Sequence, residues 1–287
     1  MNYAIIGAGA SGLLPAYLLK KAGHDVQVIA QHEEQAALIN EQGIIHGENR
    51  QQMKAYTDIE QIAPDAYIIL TVNYEDQPPI LRLLKIRCPS NKIIFLQQGM
   101  LFLEKARILS HRHIAAAVLE TDCVKLSDTE ISFKKAARLT FGLVKGHAEE
   151  FQPLLETAAW QSKWVEDIEE SLFERLLFSS LIDPLTAMMK ISNGELITNP
   201  HAYELFRNLY SELYLAFPEI EWLQPIEKVA TLCAAEPERV SAMLADRLAG
   251  DPMEIEGLML YVLNRSKLEL PLFKAFYHLL KTVEVEK

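Results

Sequence analysis

Apolar residues in the first half of the chain fall into short unbroken runs. Residues 3–6, 67–72 and 92–97 are such runs, bounded by glycine, proline and polar residues. A run of that length without polar alternation suits a strand covered on both faces of a parallel sheet. Between them, residues 13–21 read as a helix closed by Gly23, residues 25–30 as a second strand and residues 79–85 as a short helix. Residues 115–119 read as a further strand, and 130–134 with 138–141 as a strand pair near the sheet edge. Residues 149–159 read as a helix and 162–165 as a last short strand. Past about Asp167 the texture changes. Phe173, Leu176, Leu177, Leu181, Leu185 and Met188 recur at helical spacing, and so do Leu205, Leu209, Leu213 and Phe217. Pro184 interrupts the first pattern and predicts a kink or break there. Further helices are expected over 226–234, 237–248, 254–266 and 272–281. The pattern predicts an α/β domain with a mainly parallel sheet over 1–167, then an all-α domain over 168–287.

The first run is followed at once by Gly7-Ala8-Gly9-Ala10-Ser11-Gly12. Strand, glycine turn, helix and second strand follow one another within the size of one βαβ unit. In that context each glycine has its own role. Gly7 turns the chain out of the strand, Gly9 lets backbone approach a pyrophosphate, and Gly12 lets helix pack on sheet. The free N–H groups of the helix start then face the phosphates. These features define a Rossmann-type dinucleotide-binding domain. The second strand ends Ala30-Gln31-His32, with no carboxylate where NAD sites hold the ribose hydroxyls, although Glu33 and Glu34 follow. That absence points towards NADP, with Gln31 beside the ribose; no arginine lies in this stretch to take a phosphate.

Composition narrows the function. Of the 287 residues, 49% are hydrophobic and 23% charged, and the formal net charge is -11. An acidic chain without a basic block is a poor partner for nucleic acid or an anionic membrane. No apolar run is long enough for a membrane span and no leader is visible, so a cytoplasmic location is expected. Cys88, Cys123 and Cys233 are scattered, which fits neither a disulfide framework nor a metal knuckle. No metal-binding histidine pair and no hydrolase nucleophile elbow is present, and His111 and His113, flanking Arg112, read as solvated.

The helical half carries Arg175-Leu176-Leu177-Phe178-Ser179-Ser180-Leu181-Ile182-Asp183-Pro184-Leu185-Thr186-Ala187-Met188, then Asn193-Gly194-Glu195-Leu196, Ser241-Ala242-Met243-Leu244 and Glu254-Ile255-Glu256-Gly257. With the glycine turn and Leu96-Gln97-Gln98-Gly99, these blocks resemble the ketopantoate reductase family along essentially the whole chain. The resemblance implies NADPH on the glycine turn and reduction of a small 2-oxo acid, 2-dehydropantoate to pantoate, on the way to pantothenate and coenzyme A. It also implies a lysine general acid, and that position is Arg175. The family's substrate-binding asparagines fall on Ser179, Asp183 and Asn193, and its serine on Ala242, beside Ser241. Its cofactor-side lysine falls on Asn73, its asparagine before glycine on Gln98, and its glutamate on Glu254. The glycine turn, Asn193 and Glu254 match the pattern, while the acid-binding residues depart from it. Arginine stays charged at any working pH, so Arg175 can stabilise a developing alkoxide but hardly donate a proton. Three readings stay open: a 2-dehydropantoate reductase, a reductase of the same fold with another substrate, and a nucleotide-binding protein without turnover. A homodimer is compatible with the helical half.

Overall fold

Strand β1 (Asn2–Ile6) lies at the centre of the sheet because its side chains are apolar on both faces, and four of its five residues are buried. The computed structural model describes residues 1–97, 99–121, 123–134 and 136–284. In chain order, β1 leads into α1 (Ala10–Lys21), β2 (Asp25–Ile29) and α2 (Glu33–Gln42). Next come β3 (Ile44–His46), β4 (Asn49–Gln51), β5 (Lys54–Tyr56) and β6 (Tyr67–Leu70), then α3 (Gln77–Arg87), β7 (Lys92–Leu96), α4 (Phe102–Ile108) and β8 (Ile114–Leu119). The unit closes with β9 (Cys123–Lys125), β10 (Ile131–Phe133), β11 (Arg138–Lys145), α5 (Gln152–Glu156) and β12 (Gln161–Val165).

The main sheet has eight strands in the order β12-β11-β8-β7-β6-β1-β2-β5. Its neighbours pair in parallel except β11, which runs antiparallel to β8. From β1 the chain steps first to β2 on one side and later to β6 on the other. The reversal opens a crevice at the carboxyl ends of β1 and β6, where α/β folds place their ligands. Contact clustering separates this unit, residues 1–97 and 102–171, from a second made of 98–101 and 172–287.

The second unit is helical among its described residues. Its elements are most of α6 (Ile168–Met189), α7 (Asn193–Thr198), α8 (Pro200–Ala216), α9 (Ile220–Leu223), α10 (Ile226–Ala235), α11 (Ala242–Ala249), α12 (Ile255–Arg265) and α13 (Pro271–Val283). Of the predicted apolar stripes, Leu176, Leu177, Leu181, Leu185, Leu209 and Leu213 are fully buried, Phe173, Met188 and Leu205 are half-buried, and Phe206 and Phe273 complete the core.

Several expectations are corrected. Residues 131–133 do not pair with 138–141. They form a two-stranded antiparallel sheet with β9, while β11 extends to Lys145 and joins the main sheet. The short strands β3, β4 and β5 escape the pattern because each has only three residues. Residues 149–159 split into a single 3-10 turn and the five-residue α5. Helix α6 runs through Pro184 without a break. The Thr186 hydroxyl donates to the Ile182 carbonyl at 2.8 Å within that stretch, and packing on all sides of α6 outweighs the lost hydrogen bond. His111 and His113 are buried rather than solvated, His111 completely, with its Nε2 2.9 Å from the Cys88 carbonyl oxygen.

Candidate active site

The glycine turn sits at the carboxyl end of β1. Gly7 has φ of 113°, a conformation side chains rarely adopt, and its N–H donates to the Ile29 carbonyl of β2 at 2.9 Å. Gly12 lies in the first turn of α1, where an added methyl group would collide with the Gly7 carbonyl. Gly9 is different. It is the N-cap of α1 in an extended conformation, and a methyl group placed there meets no atom within 4 Å. Open space over a helix N-terminus whose cap makes no side-chain bond is the cradle a pyrophosphate needs. Neighbouring side chains hold the turn in place. The Thr71 hydroxyl donates to the Ile6 carbonyl at 3.0 Å, and Gln35 reaches from α2 to the Ala8 carbonyl at 2.8 Å.

Around this cradle, Ala8 is buried, Ala10 and Ser11 are half-buried on the first turn of α1, and Gln31 is exposed just past β2. Asn73 follows β6 and caps a 3-10 turn with no side-chain bond. Lys105 of α4 comes to the same turn. Its ammonium lies 3.4 Å from the centre of the Tyr74 ring, and desolvation lowers its pKa. Sequence reasoning missed Lys105, because only the fold brings α4 to residue 74. Gln98 lies outside the described residues.

Four polar residues of α6, Arg175, Ser179, Asp183 and Thr186, fall at spacings of four, four and three, which sets them on one helix face. Arg175 is half-buried, with its guanidinium 5.6 Å from the centre of the Phe178 ring. Ser179 and Thr186 are fully buried, and Asp183 is 7% exposed. Two elements, α6 and α7, meet the same loop, residues 237–241. The backbone N–H groups of Asn193 and Gly194 donate to the Arg239 and Pro237 carbonyls at 2.8 and 3.0 Å. The Thr186 and Ser241 hydroxyls share a hydrogen bond of 2.8 Å, and the Arg239 charge acts on Asp183.

The electrostatics are unusual at Asp183. Burial pushes its carboxyl up to about 6, against the opposing pull of Arg175 and Arg239. The Asn193 side-chain oxygen is buried without a partner. Asp246 of α11 is half-buried, and its carboxyl is raised to about 7 by desolvation and by Asp251 and Asp183. Ser241 is occupied as the N-cap of α11, accepting from the Leu244 N–H at 3.2 Å, while Ala242 beside it is exposed. Glu254 precedes α12 and folds back over Gly257.

A mainly parallel sheet with a glycine cradle at its switch point, followed by a helical unit, is the architecture of a Rossmann-type dinucleotide-binding protein. Two models of one family cover it: ketopantoate reductase PanE/ApbA over residues 3–146, and the C-terminal region of the same family over 167–284. The chain belongs to the ketopantoate reductase family. A 2-dehydropantoate 2-reductase of Listeria monocytogenes is 26% identical over 295 residues, spanning 100% of this chain and 98% of that relative. Among solved structures, a 2-dehydropantoate 2-reductase of Geobacter metallireducens has a TM-score of 0.85 at 19% identity, covering 98% of this chain and 99% of that one. A ternary structure of D-mandelate dehydrogenase with NADH and anilino(oxo)acetate has a TM-score of 0.84 at 15% identity, covering 99% and 98%. Both likenesses are of fold.

Proposed function

We propose that the chain is an NADPH-dependent reductase of a small 2-oxo acid, with 2-dehydropantoate as the leading substrate. The observation that carries this reading is the Gly9 cradle, in a chain matched by its family over both halves. Gly7, Gly9 and Gly12 shape the turn, and the backbone N–H groups of Ala10 and Ser11 hold the pyrophosphate. Ala8 carries the carbonyl that Gln35 anchors. Gln31 faces the adenosine ribose, and Asn73 and Gln98 lie on the cofactor side. The absence of a carboxylate at Gln31 and His32 favours NADPH over NADH, although the D-mandelate dehydrogenase structure holds NADH. The bound dinucleotide supplies the hydride.

The helical unit supplies the acid site. Arg175 holds the carbonyl oxygen and stabilises the negative charge that grows on it as hydride arrives. Because a guanidinium keeps its protons, the alkoxide takes its proton from water. Ser179, Asn193 and Ser241 orient the acid, with Ala242 at the edge of the site, and Glu254 fixes the start of α12. Positioned general acid catalysis is worth roughly two to four powers of ten in rate, so reduction here is slower than with a lysine. The test is NADPH oxidation against a panel of 2-oxo acids. Turnover of at least one acid, with saturation in NADPH, is expected. NADPH binding without oxidation by any acid would instead favour a nucleotide-binding role without turnover.

A further inference from the structure

The cradle at the glycine turn offers an anion backbone N–H groups, yet the chain around it is acidic. The segments that follow β1, β2 and β6, residues 7–12, 30–35 and 71–77, carry Glu33, Glu34, Glu75 and Asp76 and no lysine or arginine. Helix α1 holds its lysines, Lys20 and Lys21, in its last turn, at the far end from the cradle. A dinucleotide is itself anionic, so these carboxylates oppose its approach unless another element supplies a cation. Lys105 of α4 is such a cation, and the fold holds it in place. Phe102, at the start of α4, stacks on Phe95 of β7 with ring centres 5.0 Å apart. Gln97, just past β7, donates to the Val72 carbonyl at 2.8 Å and accepts from Gln77 at 2.6 Å. These contacts tie α4 and the end of β7 to the turn after β6. Lys105 lies about one turn along α4 from Phe102. Its ammonium donates to the Tyr74 carbonyl at 3.3 Å and sits 3.4 Å from the centre of the Tyr74 ring. Tyr74 is two residues past Val72, at most about 7 Å of chain, and Val72 packs against Gly7. An ammonium has more N–H donors than the bond to Tyr74 uses. Lys105 is half-buried, where attraction to an anion is stronger than in water.

We propose that Lys105 binds the nicotinamide-side phosphate of the dinucleotide. The inference rests on the dinucleotide reading of the Gly9 cradle and adds to it the side chain that supplies the charge. The side follows from topology. A dinucleotide lies across the switch point with its adenosine ribose at the end of β2, so β6, β7 and α4 flank the other nucleotide. The backbone gives the cradle its shape and Lys105 gives it a positive charge. NADPH and NADH differ only at the adenosine ribose, so Lys105 serves both alike and takes no part in the choice between them.

The experiment measures dissociation constants for NADPH, NADH and adenosine 2′,5′-bisphosphate, which has no nicotinamide half. It uses the parent, Lys105→Met, Lys105→Gln and Lys105→Arg. Methionine keeps an unbranched stem against Tyr74 and removes the charge, and glutamine is a second uncharged variant. In both, affinity for NADPH and NADH should fall by the same factor, about tenfold, as expected for the loss of one charge-assisted hydrogen bond. Affinity for adenosine 2′,5′-bisphosphate should stay within about twofold of the parent, a difference too small for one lost hydrogen bond. Lys105→Arg, which keeps the charge, should stay close to the parent for all three ligands. Melting temperatures should match the parent, which a merely structural role for Lys105 would not allow. Unchanged dinucleotide affinity in both uncharged variants would overturn the inference and leave the cradle reading intact. So would an equal loss for adenosine 2′,5′-bisphosphate, or an affinity loss that only follows a drop in melting temperature. If the parent binds neither dinucleotide, the cradle reading fails and the inference with it.

Discussion

The glycine turn and the polar face of α6 differ in the groups they offer a ligand. At the turn, recognition belongs to the backbone: the positive φ of Gly7, the close approach of Gly12 to Gly7 and the open space above Gly9. In the proposed acid site on α6 and the loop it meets, recognition would fall to side chains, and Arg175, Ser179, Asp183 and Ala242 stand where the resemblance implies a lysine, two asparagines and a serine. A phosphate cradle built from N–H groups keeps its chemistry as long as the glycines stay. A substrate site built from side chains changes its chemistry with each substitution, and the site proposed here carries the buried carboxylate of Asp183.

The largest expected effect isolates the backbone region. Gly9→Val should leave folding intact, since Gly9 has φ of -81° and space around it, while it fills the cradle. Dinucleotide affinity should fall at least about 100-fold with no drop in melting temperature, as a β-branched side chain replaces the approaching phosphate. Retention of NADPH affinity in this variant would place the phosphate site elsewhere.

A smaller effect probes the side-chain region through pH. Asp183 has a carboxyl raised from 3.8 to about 6 in the folded chain. A carboxyl raised on folding binds protons more tightly when folded. Its favourable contribution is therefore complete below about pH 4 and lost as pH rises through about 6. That difference corresponds to about 3 kcal/mol at neutral pH. Asp183→Asn should be as stable as the parent near pH 4 and more stable near pH 7, as read by urea unfolding. Asp246, whose carboxyl is also raised, is half-buried, and solvent screening reduces its share. A stability gap independent of pH would show that the Asp183 carboxyl is not raised on folding.

The smallest effect concerns the adenosine end. With no carboxylate at Gln31 or His32 to hold both ribose hydroxyls, NADPH should bind more tightly than NADH, by up to about tenfold, or 1.4 kcal/mol. With no arginine or lysine between residues 30 and 49, a larger factor is not expected. Energy transfer from protein to nicotinamide measures both constants. Tighter NADH binding would instead assign the ribose contact to Glu33 at the start of α2.

How much of this is legible in the sequence follows the same division. The unbroken runs at 3–6, 67–72 and 92–97 announce buried parallel strands, and the glycine spacing announces the turn, because both signals are local. The helix face of Arg175, Ser179, Asp183 and Thr186 is legible from spacing alone, though by sequence Thr186 reads as an ordinary helix residue. Arg239, Gln35 and Lys105 are not legible. Their roles depend on where a distant loop or helix returns, and no local pattern encodes that. Neither is the raised carboxyl of Asp183, since its burial depends on what packs against α6. The break expected at Pro184 fails for a related reason: proline removes one hydrogen bond, and the burial of α6 decides whether the helix continues.

The measurement that bears most directly on the contrast is 2-dehydropantoate reduction by the parent and by the double variant Arg175→Lys with Ala242→Ser, with NADPH affinity determined for both. The account predicts equal NADPH affinity, because the cradle is untouched. It predicts a slow parent and a variant at least about tenfold faster, because a lysine returns the proton donor and a serine returns a hydroxyl. A parent that already reduces 2-dehydropantoate at a rate ordinary for metabolic enzymes, or a variant no faster than the parent at equal NADPH affinity, would contradict it.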